Sequence, residues 1–215
     1  MLIACWSPKG GSGTTVVACG LALVIARRAR SGGAVLADLA GDVPAVLGLP
    51  EPDGPGLGDW LAAPDAPAEA LDRLALDAGP GVHVLPRGRH DGDPARGDAL
   101  AAALAGNGRP VVVDCGRADG GPGFAVAAAA DASLLVVRPC YLALRRALAA
   151  PLRPSGVVLV AEEGRAMGRT DVEDVLGVPV RAVVDHDAAI ARAVDAGLLA
   201  TRLPRQLERP LRAAA

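Results

Sequence analysis

Along this chain, short runs of apolar residues alternate with longer stretches rich in Ala and Leu. The short runs are Leu2 to Trp6, Ala34 to Ala37, Val82 to Leu85, Val111 to Val113, Leu134 to Val137, Val157 to Val160 and Val180 to Val184. A strand solvated on one face would alternate apolar and polar. Nearly continuous apolar runs bounded by turn residues are instead the pattern of strands covered on both faces, as in parallel sheets. The longer stretches have the length and propensity of helices: roughly Thr15 to Arg30, Pro94 to Ala105, Gly123 to Ala130, Leu142 to Ala150, Thr170 to Leu176 and Asp187 to Ala196. Strand then helix, repeated, predicts an α/β fold: a doubly wound, mostly parallel sheet with helices on both faces. Pro50 to Pro80 is richest in Pro and Gly, with room for short helices over Leu57 to Ala63 and Ala66 to Leu76, and reads as an elaborated crossover.

Composition narrows the picture. The 215 residues fit one domain, expected over 1–215. At 51% hydrophobic and 21% charged, the chain buries enough apolar surface to exclude wholesale disorder, and with 2% aromatics its core must be Ala, Val and Leu. The 22 basic and 24 acidic residues leave a net charge of −2, which argues against a strongly cationic nucleic-acid binder. Cys5, Cys19, Cys115 and Cys140 have no CxxC spacing and sit in apolar runs, so free buried thiols in a reducing cytoplasm are expected. The opening MLIACWSPKGG has no basic segment before its short apolar stretch, so neither a signal peptide nor an integral membrane segment is expected.

The candidate chemistry lies where the first strand ends. Pro8-Lys9-Gly10-Gly11-Ser12-Gly13-Thr14-Thr15 separates that strand from the first helix. Strand, glycine-rich loop and helix together aim backbone amides and a helix N-terminus at a phosphate chain. Glycines alone would mark any tight turn. Lys9 sharpens the reading: every other basic residue is arginine, and the lone lysine falls inside the loop, where a compact point charge suits a phosphate better than a forked guanidinium.

The string Lys9 to Thr15, KGGSGTT, resembles the deviant Walker A loop K-G-G-x-G-K-[ST] of the MinD/ParA family of P-loop ATPases, with Val17-Ala18 and Leu21-Ala22 keeping the family's register downstream. The resemblance implies that ATP with Mg2+ binds over Lys9, Gly10, Gly11, Ser12, Gly13, Thr14 and Thr15. It makes Lys9 the signature lysine that reaches the partner's nucleotide across a homodimer, and Thr15 a Mg2+ ligand. Thr14 stands where the family has the Walker lysine, so affinity and transition-state stabilisation should both fall. Pro8 replaces the usual first glycine. Loss of the Walker lysine is commonest in the CpaE/TadZ branch of pilus-localising proteins, the branch this loop is most similar to.

The resemblance covers nearly the whole chain. Asp38, closing the second strand, matches the acid supporting the loop and the Mg2+ shell, and Asp114 after Val111-Val112-Val113 matches the Walker B acid; with Lys9 these are the expected catalytic residues. The water-positioning acid is replaced by Ala40, with Asp42 nearby but out of register. Ala130 to Pro139 matches the family's fifth strand and its terminating proline. Val160-Ala161-Glu162 stands where the family often has an adenine-reading Asn, which leaves adenine and guanine both open, with backbone groups of Asp185 to Asp187 as the substitute reader. Arg117 is either a solvated loop arginine or a replacement for the missing charge.

Other residues carry less. His83, His90 and His186 belong to no nucleophile motif, and Trp6 and Trp60 read as packing groups. Arg202, Arg205, Arg209 and Arg212 fall at the spacing of one helical face, either solvated or turned to DNA or an anionic membrane, although Pro204 and Pro210 limit a helix there to about one and a half turns. The expected function is a nucleotide-dependent dimerising positioning protein that binds ATP-Mg weakly and hydrolyses it slowly or not at all, with a protein partner in a positioning, pilus or secretion system. The alternatives are a pseudo-ATPase scaffold that dimerises without cycling and a ParA-like DNA-binding partition ATPase.

Overall fold

The computed structural model describes residues 1–29 and 32–215. Its strands are β1 (Leu2–Ser7), β2 (Ala34–Asp38), β3 (Leu76–Asp77), β4 (Val82–Leu85), β5 (Val111–Arg117), β6 (Ala132–Val137), β7 (Gly156–Ala161) and β8 (Val180–Asp185). They form one sheet in the order β3-β4-β2-β5-β1-β6-β7-β8. Every pairing is parallel except β3 with β4 at the edge. All seven apolar runs are therefore strands, and the doubly wound α/β sheet is the observed fold.

The continuous apolar pattern has a direct cause in packing. Along β1 every residue is buried, with Ile3 and Cys5 in the core layer on one face and Leu2, Ala4 and Trp6 in the layer on the other. The first layer is covered by α1 (Thr14–Arg28), α2 (Val43–Leu47), α8 (Ala188–Asp195) and α9 (Arg205–Leu211). The second is covered by α3 (Leu57–Ala62), α4 (Gly97–Ala105), α5 (Gly121–Ala129), α6 (Tyr141–Ala149) and α7 (Arg169–Leu176). Helix α1 is buried almost all round from Val17 to Ala26, which explains its unbroken apolar sequence. The expected helix over Thr15 to Arg30 ends at Arg28, and Arg30 lies outside the described residues.

Several details differ from the sequence expectation. Ala66 to Leu76 is not an α-helix but a 3-10 helix over Ala68–Leu74 followed by β3, because Leu71 is its one buried side chain and a single anchor does not hold an amphipathic face. Helix α9 runs through Pro210, and only Arg205 and Arg209 of the four tail arginines lie within it; Arg202 precedes Pro204 and Arg212 is its C-cap. The four arginines therefore do not share one helical face. Leu207 and Leu211, both fully buried, seat α9 against α1, while Glu208 pairs with Arg27 at 3.3 Å and with Arg212 at 2.8 Å. The two tryptophans pack as expected: Trp6 Nε1 donates to Ser133 Oγ at 3.0 Å, and Trp60 Nε1 donates to the Pro67 carbonyl at 2.9 Å. Cys5, Cys19 and Cys115 are buried and Cys140 half-buried, all four as free thiols.

Strand β1 lies between β5 and β6, and the chain steps from β1 to one side of the sheet before returning to the other. That reversal opens a crevice beyond the carboxyl ends of the strands, where open α/β sheets place their ligands. Among the described residues no helix is long and apolar enough to cross a membrane.

Candidate functional site

The crevice is built around the loop between β1 and α1. Gly11 and Gly13 have φ of +76° and +85°, a backbone region that a side chain makes costly, so the turn requires glycine at these two positions. Gly10 has no such requirement, and a Cβ built there would meet nothing within 4 Å. Its open face borders the cleft. The Lys9 carbonyl accepts hydrogen bonds from Ser7 Oγ at 2.9 Å and Ser12 Oγ at 3.2 Å, and both serines are buried. Two hydroxyls thus fix the loop backbone from below.

Helix α1 begins without a side-chain cap and without an acid in its first turn, and the Val17 amide donates to the Gly13 carbonyl at 3.0 Å. The preceding Thr14, Thr15 and Val16 all line the cleft. The first amides of a helix have no intrahelical acceptor, and together with the helix dipole they form a site for an anion. Thr14 is buried and brings no charge.

Asp38 and Asp114 are paired residues on adjacent strands, so their side chains lie on the same face of the sheet. Both are fully buried. Asp38 Oδ1 accepts from the Ala40 amide at 3.0 Å and the Gly41 amide at 2.6 Å, and its Oδ2 accepts from the Val43 amide at 3.1 Å, which folds the turn into α2. Burial pushes its carboxyl up to about 6; the amides, Gly41 first, pull against this and the neighbouring Asp114 adds to it. Asp114 Oδ1 accepts from the Gly116 amide at 3.0 Å, but its buried Oδ2 has no hydrogen-bond partner. Burial raises its carboxyl as well, with the nearby Thr15 hydroxyl and the Gly116 amide opposing.

A buried carboxylate oxygen without a partner, beside a threonine hydroxyl at a helix N-terminus, is a donor set that fits a hydrated divalent cation such as Mg2+. Among the described residues no three His, Cys, Asp or Glu side chains converge as a metal cluster, so the cation would depend on Thr15, Asp114, water and a phosphate ligand. Asp38 has its oxygens engaged by the turn into α2, and neither Asp38 nor Asp114 is among the residues lining the cleft, so both stand behind it rather than at its surface.

The cleft holds about 530 Å3 and is lined by Ser7, the loop from Gly10 to Val16, the turn at Ala40 and Asp42, Gly116 and Arg117, and Val194 and Asp195 of α8. Lys9 is not part of this lining. Asp42, out of register by sequence counting, is brought to the cleft by the turn that Asp38 organises. Continuous with the cleft through Gly13, Val16, Val194 and Asp195 is a narrower slot of about 190 Å3, walled by Val16, Val17, Val160, Val184 and Ile190 and rimmed by Arg138 and Asp185 to Asp187. Its apolar walls suit an apolar ring system. Glu162 does not line the slot; Arg138 at 2.7 Å and Arg165 hold it. Val160 and Asp185 to Asp187, named from the sequence for the base, do border this slot, whereas its walls from α1 and α8 carry no local motif that sequence reading could find.

Fold and loop together define a P-loop-like α/β architecture with a cleft at the glycine-rich loop and an adjoining apolar slot. No protein-family model and no curated protein sequence matches the chain. Solved structures do match. The septum site-determining protein MinD of Pyrococcus horikoshii OT3, complexed with Mg-ADP, superposes with a TM-score of 0.79 at 22% identity, covering 99% of this chain and 93% of that one. The cell division ATPase MinD of Pyrococcus furiosus gives 0.78 at 24% identity over 100% and 99% of the two chains. A ParA family ATPase from Chlorobium tepidum TLS gives 0.76 at 19% identity over 98% and 96%. The fold is that of the MinD/ParA P-loop ATPases.

Proposed function

We propose that this chain is a nucleotide-dependent dimerising positioning protein of the MinD/ParA kind, similar to the CpaE/TadZ branch, that binds ATP with Mg2+ weakly and turns it over slowly or not at all. The observation that carries the nucleotide reading is the buried, unpartnered Asp114 Oδ2 set beside Thr15 at the uncapped start of α1. A fold shared with a Mg-ADP-bound MinD supports it. In this reading the amides of α1 bind the phosphates, Thr15 and Asp114 hold Mg2+ directly and through water, Asp38 fixes the turn behind them, and the slot takes the base. Bound Mg2+ would supply charge neutralisation between the β- and γ-phosphates. Weak turnover follows from Thr14, which brings no charge, and from Ala40, which cannot orient water.

Lys9 lies outside the cleft lining, which suits a residue that acts on a second copy rather than in its own cleft. The open space at Gly10 leaves room for a second loop to approach. A single domain, a cytoplasmic location and a protein partner in a pilus or secretion assembly complete the proposal. A scaffold that dimerises without cycling is the second reading, favoured by the same Thr14 and Ala40.

Titration calorimetry with Mg-ATP tests the first reading. Relative to a loop with its lysine, one lost charge-assisted contact costs about 1.5–3 kcal/mol, or about tenfold to a hundredfold in affinity. Micromolar or weaker binding is expected, and a low-nanomolar Kd would refute it.

A further inference from the structure

We propose that Arg117 supplies the positive charge that meets the ligand's phosphates within the same chain, from the strand side of the cleft rather than from α1. The inference rests on the nucleotide reading and extends it to a residue specific to this chain. Among the described residues lining the cleft, Arg117 is the one cation, facing the acids Asp42 and Asp195. A nucleoside triphosphate brings several negative charges, and the N-terminal dipole of α1 offers only about half a positive charge against them. Beside the amides of α1 and a bound Mg2+, Arg117 is the positive side chain that the fold puts at this cleft.

Its placement is built into the sheet. β1 and β5 pair in step from Leu2 with Val111 to Cys5 with Asp114, after which Ser7 pairs with Arg117. One extra residue has entered β5 between Asp114 and Arg117. The insertion is a β-bulge, and Gly116 carries it with φ of +55° while its amide is tied to Asp114 Oδ1. In an unbulged ladder Gly116 would stand opposite Ser7, and position 117 would project from the other face of the sheet. The bulge sets Arg117 at the rim of the cleft, where it also borders the pocket of Arg87 and Asp91, and it couples the strand backbone beside Arg117 to the acid expected to hold Mg2+. Bulges recur beside binding sites for this reason.

The guanidinium is held ready rather than committed. Arg117 pairs with Asp119 at 2.5 Å, and both side chains are largely exposed, a kind of pair worth little in water. A phosphate, which accepts two parallel N–H donors from an arginine, outcompetes such a partner. Asp119 therefore acts as a rival anion that parks the charge at the mouth of the cleft and lowers affinity for the ligand.

The experiment is calorimetry of the full chain with two probes, Mg-ATP and inorganic triphosphate, on the parent, Arg117→Ala, Arg117→Ala with Thr14→Lys, and Asp119→Asn. Arg117→Ala should lose about tenfold to a hundredfold in affinity for both probes, as expected for one charge-assisted phosphate contact. Its melting temperature without ligand should match the parent, since the side chain is exposed. Adding Thr14→Lys should return most of the lost affinity, and Asp119→Asn should tighten binding several-fold. If the parent binds both probes and Arg117→Ala binds them equally well, this inference is overturned and the nucleotide reading stands. A parent that binds neither probe overturns both.

Discussion

The two buried carboxyls make a stability prediction opposite to the usual acid behaviour of proteins. Asp38 is fully buried and its carboxyl is raised from 3.8 to about 6. A carboxyl with a higher pKa folded than unfolded holds its proton more tightly in the folded chain. Its contribution to stability is therefore fully present below 3.8 and is lost as pH rises through about 6. From that shift, keeping Asp38 ionised in the fold costs about 3 kcal/mol at pH 7.5, of which roughly half returns by pH 5. Asp114 is raised too and acts in the same direction. The carboxyls held below their usual range, Asp59, Glu162, Glu173 and Glu208, are half-buried in hydrogen bonds and ion pairs and withdraw stability only at more acidic pH. Urea unfolding followed by circular dichroism, in buffer with a chelator and no nucleotide, should give a stability higher at pH 5.0 than at pH 7.5 by roughly 1 kcal/mol or more. Asp114→Asn keeps an oxygen for the Gly116 amide while removing the unpartnered charge. It should be more stable than the parent at pH 7.5 and flatter with pH. Stability that is constant or falls from pH 7.5 to 5.0, or an Asp114→Asn profile parallel to the parent's, would refute the reasoning.

Three further outcomes are expected. Hydrolysis of Mg-ATP should be slow or undetectable, because a positioned water and a cis lysine are both missing; a phosphate-release assay giving rapid turnover that Asp114→Ala abolishes would show that other groups had taken over. Lys9→Ala should weaken nucleotide-dependent dimerisation more than it weakens nucleotide binding by the monomer, and Lys9→Arg should also impair it, since a longer forked head does not fit where a point charge must pass; sedimentation velocity with and without Mg-ATP decides this, and variants that dimerise like the parent would remove Lys9 from the interface. Leu207→Ala should cost about 2–5 kcal/mol by leaving a cavity where α9 seats on α1; a urea midpoint within error of the parent's would mean that α9 adds nothing to the core.

What could be read from the chain follows from which forces are local. β1, β2, β4 and β5 to β8 were legible because strands buried on both faces need apolar residues at every position, and that need is written in each run separately. The loop was legible for a similar reason: Gly11 and Gly13 answer a local backbone demand, and Lys9 stands out against a background of arginine. β3 was not, since its two residues are exposed and owe their conformation to pairing with β4. Helix α9 was obscured by Pro204 and Pro210; what holds it is distant, the burial of Leu207 and Leu211 and the Arg27–Glu208 pair. Asp42 was set aside by counting from Asp38, yet Asp38 itself bends the turn that carries Asp42 to the cleft. Arg117 shows the same limit more sharply. Its sequence context reads equally as a solvated loop, and only the register of β5 against β1 reveals the extra residue that aims it. The uncharged Thr14 and the charged Arg117 are far apart along the chain but border one cleft, a juxtaposition that becomes visible only where strand register is known.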